Sequence, residues 1–521
     1  MQQKKLIPLY KKYLPFFIIG IFSFAINYHY GFIGVMPMDN FVLYNGGYRV
    51  LNGYTPFNDY WLVTGPLLDY LNAFFFYING TNWKSFIIHS SLFNLIISIV
   101  SYLLFTELGL QKKFSIIYSI IFSILFYPVV GTPFVDHHAT FFLILMFYFF
   151  IFGVIKNNNF YFAFTPILFI LSFLSKQTPA AYGLFGIMFL FIFYIFYDFK
   201  KNIIILRYLI IGSVVSILFL FLFFYFTKIN FINFYDQYIL YAKTIGDFRF
   251  STYKFDLFGT VAEYKFILIL LIFLTGILIK SLKDKKVKII FTALAIIFLS
   301  SLLIFHQYYS LNQNFIFFLI PLLTGIIHVF YKDNFFKNKL ILTFIILLCF
   351  YSAIKYHIRF NEHRKFNELE KVDLSQAIDA EVLSKDLKGL KWITINHPNN
   401  PRYEIDNLKK IMEILTLDKS RKAIITDYQF IAPVLKIYDF SPNQWHHPSI
   451  SFPTKDQKYF YKYKKFFIKS LKQNNIDIIY ETSKTNDSII ELVINSDCFS
   501  KERVTKMLIK FELKKDCKEF K

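Results

Sequence analysis

Apolar residues along this 521-residue chain come in long blocks, not in alternation. Runs such as FFLILMFYFFIFGVI and YLIIGSVVSILFLFLFFYF approach or reach the roughly 20 apolar residues that cross a bilayer core. Eleven segments of this kind are read near 14–34, 85–106, 114–130, 139–155, 160–175, 179–197, 208–227, 262–280, 289–305, 314–331 and 340–354. After 355 the pattern changes. Short strand-like runs (KWITI, KAIIT, IDIIY) interleave with amphipathic stretches (IDNLKKIMEIL, YFYKYKKFFIKSLKQ). The expected fold is therefore an all-α polytopic membrane domain over 1–354, with about 11 transmembrane helices, followed by a C-terminal extramembrane α/β domain over 355–521.

Composition agrees: 55% of residues are hydrophobic, 21% aromatic and only 18% charged. The formal charge of +22 does not point to nucleic acid. The cations sit in short loops between spans and in the C-terminal region, where membrane orientation and solvation account for them. Lys4, Lys5, Lys11 and Lys12 precede the first span. Lys112 and Lys113 follow the second, Lys156 the fourth, and Lys200, Lys201 and Arg207 the sixth. Lys280, Lys283, Lys285, Lys286 and Lys288 follow the eighth, and Lys332, Lys337 and Lys339 the tenth. The alternate short loops, 131–138 and 306–313, hold no Lys or Arg. Positive-inside counting gives a cytoplasmic N-terminus and puts the C-terminal domain outside; the expected location is the cytoplasmic (inner) membrane, with the C-terminal domain periplasmic. The basic start and first apolar run read as an uncleaved signal-anchor; Ser23-Phe24-Ala25 is a weak processing site.

One apolar stretch, WLVTGPLLDYLNAFFFYI at 61–78, breaks the alternation if it crosses. It also carries Gly65-Pro66, Asp69 and Asn72, so it is read as an interfacial or re-entrant helix within a large outer loop of about 35–84. Leu67, Leu71, Phe74, Phe75 and Ile78 are expected to dip into lipid. Cys349 falls in a span, whereas Cys498 and Cys517 pair if the C-terminal region faces an oxidising compartment.

Ionisable residues at the ends of spans are costly to desolvate and are functional candidates. The outer end gathers Asp39, Asn40, Asn45, Arg49, Asp59 and Asp69; Asp136, His137 and His138; Lys176 and Gln177; Asp236, Asp247 and Arg249; and His306, Gln307 and Asn312. Asp39 also suits a helix cap. Lys176 suits snorkelling, but a lone lysine on the outer side runs against the charge bias, and the anion-binding reading is preferred. Arg49 serves either a phosphate or the cohesion of the loop. Asp59 and Asp69 are read as structural, and His446-His447 as exposed loop residues. The chain contains no Walker loop and no dinucleotide fingerprint.

An acid shortly after the first span, the turn GYTPFND, the segment GPLLDYLNAFFFYING and a second acid after the third span together resemble the GT-C fold. This superfamily of membrane glycosyltransferases uses polyprenyl-phosphate sugars and includes protein O-mannosyltransferases and the aminoarabinose transferase of lipid A. The resemblance covers about 30–180, and implies that Asp39 sits at the reacting centre and that Asp136 is the second acid. It also implies that Lys176, in LSKQTPAAYG, meets the donor phosphate. One departure is that O-mannosyltransferases carry an acidic pair where this chain has Asp39-Asn40. Metal use is left open; Asp39 and Asp136 would be the ligands of a divalent ion.

The implied reaction moves a sugar from a polyprenyl-phosphate donor to a hydroxyl of a glycan, lipid or protein acceptor. It inverts the anomeric centre, with Asp39 as general base. Lys176, Arg49, His137 and His138 are the candidates for the donor phosphate, and His306 and Gln307 for substrate. Two rivals stand beside this reading. A transporter or flippase of lipid-linked glycans would want ionisable groups in mid-span, and the spans offer few. A C-terminal binding module on a membrane anchor would not need eleven spans.

Overall fold

The computed structural model describes residues 9–252, 254, 256–310, 315–331, 339–482, 488–514 and 516–518. Lys4, Lys5, Asn312, Lys332 and Lys337 lie outside the described residues. Each of the eleven predicted segments is a helix. They are α1 (Leu9–Tyr30), α4 (Trp83–Glu107), α5 (Lys112–Leu125), α6 (Val135–Lys156), α7 (Phe164–Ser175), α8 (Gln177–Tyr197), α9 (Ile205–Thr227), α11 (Leu257–Lys283), α12 (Val287–Ser310), α13 (Leu319–Tyr331) and α14 (Lys339–Tyr356). Between them lie α2 (Val42–Leu51), α3 (Leu67–Asn79) and α10 (Ala242–Thr252). Seven of the described helical stretches are long and apolar enough to cross a membrane on length and composition alone. The chain is a multi-pass membrane protein.

α6 is the axial helix. Nearly every residue from Val135 to Ile155 is buried, because α4, α7, α8 and α12 all pack on it. At the other extreme, α9 turns Ile210, Val214, Ile217 and Phe221 outward, the arrangement of a helix whose solvent is lipid. Buried amides join the first helices. Asn27 donates to Ser90 Oγ (3.0 Å), Ser91 Oγ (3.1 Å) and Gly131 O (3.2 Å), and Asn94 donates to Ser23 O (2.8 Å) and Ser123 O (3.0 Å). Side-chain hydrogen bonds of this kind hold helices together where apolar contact alone does not distinguish helix from lipid.

The loops alternate between two ends of the bundle. At one end Lys156 Nζ meets Glu107 Oε1 (2.7 Å) and Lys288 Nζ donates to Ile155 O (2.7 Å). At the other, Asn40 reaches Thr132, Gly65 N donates to Ser175 O (3.2 Å), Gln177 reaches Val63 and Tyr238, and His306 reaches Asp136. The second end carries the C-terminal segment. Arg364, 1% exposed, is its anchor. Its guanidinium donates to the carbonyls of Tyr30 (2.7 Å), Ile33 (3.0 Å), Pro128 (2.8 Å), Val129 (2.9 Å) and Val130 (3.1 Å), and more weakly to Phe360.

The stretch 61–78 does not run as one helix. Residues 61–66 are loop, and α3 begins only at Leu67, after Pro66. The predicted lipid face is partly corrected: Phe74, Tyr77 and Ile78 are exposed, but Leu67 and Phe75 are buried. The reason is α2. Its Gly46-Gly47 pair lets α3 cross at backbone distance, for a Cβ on Gly47 would stand 2.5 Å from Asn72 Cβ and one on Gly46 2.2 Å from Asp69 Oδ1. α3 therefore turns Asp69 and Asn72 inward to α2.

Beyond Arg364 come α15 (Pro401–Leu417), β1 (Lys422–Ile425), α16 (Phe460–Gln473), β2 (Ile478–Glu481), β3 (Phe499–Arg503) and β4 (Ile509–Leu513). Among the described residues they form a four-stranded sheet ordered β1-β2-β4-β3, with β1 and β2 parallel and the other pairs antiparallel. KAIIT and IDIIY are thus strands as expected. KWITI supplies only the two-residue Lys391–Trp392 ladder, and the β3–β4 hairpin has no counterpart in the sequence reading. Cys498 and Cys517 are joined as a disulfide. Glu404, fully buried, accepts from Trp392 Nε1 (2.8 Å), Thr394 Oγ1 (2.8 Å) and Tyr428 Oη (2.5 Å), a carboxylate with every partner supplied.

Candidate functional site

Asp39 sits in a short wide-turn helix, Pro37–Phe41, just before α2. Pro37 fixes its start, and no side-chain cap bond forms there, so the capping role is not used. Its neighbour fixes its position. Asn40 Oδ1 accepts from Met36 N (2.9 Å), and Asn40 Nδ2 donates to Thr132 Oγ1 (2.9 Å). A carboxylate at 40 would lose that donation. Asn40 thereby ties the first loop to the 131–134 loop, and Asp39 beside it lines the space between them.

That space is a cavity of about 600 Å³. Asp39, Asp136, Lys176, Gln177, Arg249 and Trp445 all line it. Lys176 lies in extended backbone between α7 and α8. Gln177 holds that break open by donating to Val63 O and Tyr238 O (2.8 Å each). Lys176 Nζ reaches both oxygens of Asp136, at 2.7 and 2.6 Å, and keeps 17% exposure toward the cavity. His306, fully buried, donates from Nε2 to Asp136 Oδ1 (3.0 Å). Asp136 is thus held between a lysine from the α7–α8 break and a histidine from α12.

Asp39 shares the cavity with these charges and responds to them. Its carboxyl is pushed up from 3.8 to about 6, chiefly because burial disfavours the charged form and next because Asp136 repels it. Lys176 and a side-chain hydrogen bond from Trp445 pull the other way, and Asp427 adds a weaker upward push. A carboxylate in this range is ionised at neutral pH yet more basic than an exposed one.

The other predicted residues stand elsewhere. Arg49 is buried and spent: Nη2 pairs with Asp439 Oδ2 (2.6 Å), and Nη1 donates to Asn443 O (3.1 Å). That corrects its phosphate role, because its charge is neutralised away from the cavity; it binds the first loop to the C-terminal segment. His137 and His138 are also corrected. Successive residues turn by about 100° around a helix, so with Asp136 facing the cavity both histidines face the bundle. His137 lies among Phe126, Tyr127 and Phe315. His138 belongs to a buried relay, Tyr127–His138–His89–Asn72, in which the two imidazole Nε2 atoms are 2.9 Å apart and His89 Nδ1 is 2.7 Å from Asn72 Oδ1. His306 holds Asp136 and Gln307 is buried beside it, so neither lines the cavity. Asp59 accepts from Thr55 N (2.6 Å), and Asp69 from Tyr60 Oη (2.9 Å) and Gln444 Nε2 (3.1 Å), the structural roles expected of them.

Three further residues of the cavity were given no role in the sequence. Trp445 and His447 come from SPNQWHHP, of which His446-His447 were read as exposed loop residues; both line the cavity. Arg249, on α10, was one polar residue among many in a long loop. No local spacing singles these out, since tertiary folding alone brings them to Asp39.

Asp39 and Asp136 do not make a cage for a divalent ion. Both oxygens of Asp136 are already taken by Lys176, and one also by His306. Among the described residues no group of three His, Cys, Asp or Glu is placed to hold a metal.

No protein-family model matches the chain, and no curated protein matches it. Among solved structures it is similar to the archaeal oligosaccharyltransferase AglB from Archaeoglobus fulgidus, in complex with an inhibitory peptide and a dolichol-phosphate. The identity is 13% and the TM-score 0.45, over 91% of this chain and 70% of that one. A second similar structure is the Archaeoglobus fulgidus oligosaccharyltransferase in complex with Zn and sulfate, with 13% identity and a TM-score of 0.46 over 90% and 68% of the two chains.

Proposed function

We propose that the protein is a GT-C-type membrane glycosyltransferase that moves a sugar from a polyprenyl-phosphate donor to an acceptor hydroxyl at the outer face of the cytoplasmic membrane. One observation carries the reading: a single cavity holds a carboxylate of raised basicity, Asp39, together with a lysine held in place by a buried acid and a further cation, Arg249. Base and cations in one space suit a displacement in which a hydroxyl is deprotonated while negative charge leaves on a phosphate.

In this mechanism the acceptor oxygen attacks the anomeric carbon from the side opposite the phosphate. The C–O bond to the phosphate breaks, the hydroxyl proton passes to Asp39, and polyprenyl phosphate departs with the bond pair. The anomeric centre inverts. Lys176 and Arg249 face the departing phosphate, and Asp136, backed by His306, fixes the Lys176 ammonium. Trp445 and His447 contribute the wall from the C-terminal segment, the side from which an acceptor would approach. The first isoprene units of the prenyl tail would enter the apolar cavity of about 370 Å³ between α7, α8 and α9, lined by Phe169, Ile170, Leu184 and Leu209. The lysine-rich loops at the opposite end and the Cys498–Cys517 disulfide support a periplasmic cavity.

A transporter or flippase is less well supported. Its axial helix should line a water-filled path, whereas α6 is packed on all sides. The test is sugar transfer from a polyprenyl-phosphate sugar in proteoliposomes. Asp39→Asn should lower the rate by at least about 100-fold, the scale of general-base catalysis, while expression and elution stay normal. Transfer near the parent rate would overturn the assignment.

A further inference from the structure

A second cleft, of about 170 Å³, lies apart from the catalytic cavity, between α16 and the chain that follows α9. α16 presents Lys462, Lys465 and Lys469 to it. Steps of three and four residues place these lysines on one helical face, where like charges destabilise one another. Lys462 is paired with Asp236. Among the described residues Lys465 and Lys469 have no carboxylate partner, and both are exposed. The cleft thus gathers three positive charges against one negative. Its opposite wall is built of amides: Asn233 and Asn58 line it, and Asn58 donates to Lys228 O (2.9 Å) and accepts from Asn230 N (3.0 Å).

Those bonds fix where the cleft stands. Lys228 directly follows Thr227, the last residue of the span α9, so the cleft opens at the level where that span leaves the bilayer. Phe231, Ile232 and Tyr235, immediately beyond, are exposed at 63%, 68% and 45%. Aromatic and apolar side chains bared beside a span end are the composition of a membrane–water interface.

We propose that this cleft is an anion site for a phosphate-bearing group at the membrane surface, supplied by the headgroup of an anionic phospholipid. The ammonium groups of Lys465 and Lys469 hold the phosphate, Asn233 is placed beside it, and Phe231 and Ile232 meet the acyl region. The site does not depend on the glycosyltransferase reading. It would set the height of the C-terminal segment over the bilayer, because α16 and the span end meet across it.

The experiment is native mass spectrometry of the full chain in detergent, titrated separately with short-chain phosphatidylglycerol, short-chain phosphatidylcholine and inorganic phosphate. The parent protein should retain phosphatidylglycerol in preference to phosphatidylcholine. The Lys465→Gln/Lys469→Gln double variant should weaken that retention roughly 10- to 30-fold, since each lysine near a lipid surface contributes about fivefold. Phe231→Ser/Ile232→Ser should weaken phosphatidylglycerol but leave inorganic phosphate unchanged, which identifies the lipid as the source. Lysine-dependent binding of inorganic phosphate as tight as that of the lipid would keep the anion site but overturn the lipid source. Equal retention of the two lipids, unchanged binding in the double lysine variant, or tighter lysine-dependent binding of polyglutamate would each overturn the proposal.

Discussion

Asp39 shows how a single carboxyl links site and stability. Its proton affinity is raised to about 6 by the fold. Where a folded-state pKa exceeds the unfolded one, the protonated group favours folding, and that contribution is lost as pH rises through the folded value. Asp39 therefore costs stability above pH 6 and none below the ordinary 3.8, where both states are protonated. Asp39→Asn should raise the melting temperature at pH 7.5, and the gain should vanish below about pH 4; a fluorimetric melt at each pH reads it. Transfer by the parent protein should decline as pH falls through about 6. Asn40 offers a second measurement. Asn40→Asp removes the donation to Thr132 and sets a second charge beside the first. It should cost about 1–3 kcal/mol and move the acid limb of the pH–rate profile upward. An unshifted limb would mean that position 40 does not govern Asp39.

Elements decide what the cavity beside Asp39 can accommodate. α7 and α8 meet at an extended break that exposes Lys176, and below it they diverge enough for α9 to close an apolar groove. Filling that groove with Ile170→Trp should raise KM for a long-chain donor several-fold and leave a short-chain analogue unaffected; donor kinetics with the two lipids separate these outcomes. The helices themselves were legible in the sequence, because blocks of Phe, Ile and Leu admit one interpretation in a bilayer. Asp39, Asp136 and Lys176 were legible too, as charged residues in places that disfavour charge. Arg49, His137 and His138 looked alike by that criterion and went elsewhere. A residue's type announces the desolvation cost, but helix phase and remote partners decide how it is met. Asp439, 390 residues after Arg49, has no trace in the first loop.

Across the whole molecule, the end of the bundle that bears the cavity is held by contacts distant in sequence. Arg49 joins the first loop to the C-terminal segment, and Arg364 joins that segment to the ends of α1 and α5. Replacing Arg364 with Met would strand buried carbonyls that have no water to turn to. The expected loss is about 4 kcal/mol or more, seen as early thermal aggregation of the solubilised full chain. Arg364→Lys should recover only part of it, since three donors cannot serve the carbonyls one guanidinium reaches.

The same arginine imposes a chronology. The carbonyls of Tyr30 and Ile33 emerge from the ribosome more than 300 residues ahead of the side chain that satisfies them. The opening helix waits through the synthesis of ten further hydrophobic segments, and the 127–131 turn through eight, before this guanidinium reaches their carbonyls. The end of the molecule that bears the cavity is therefore finished only when its last span is already in place, so that a chain interrupted before residue 364 would be inserted but never locked.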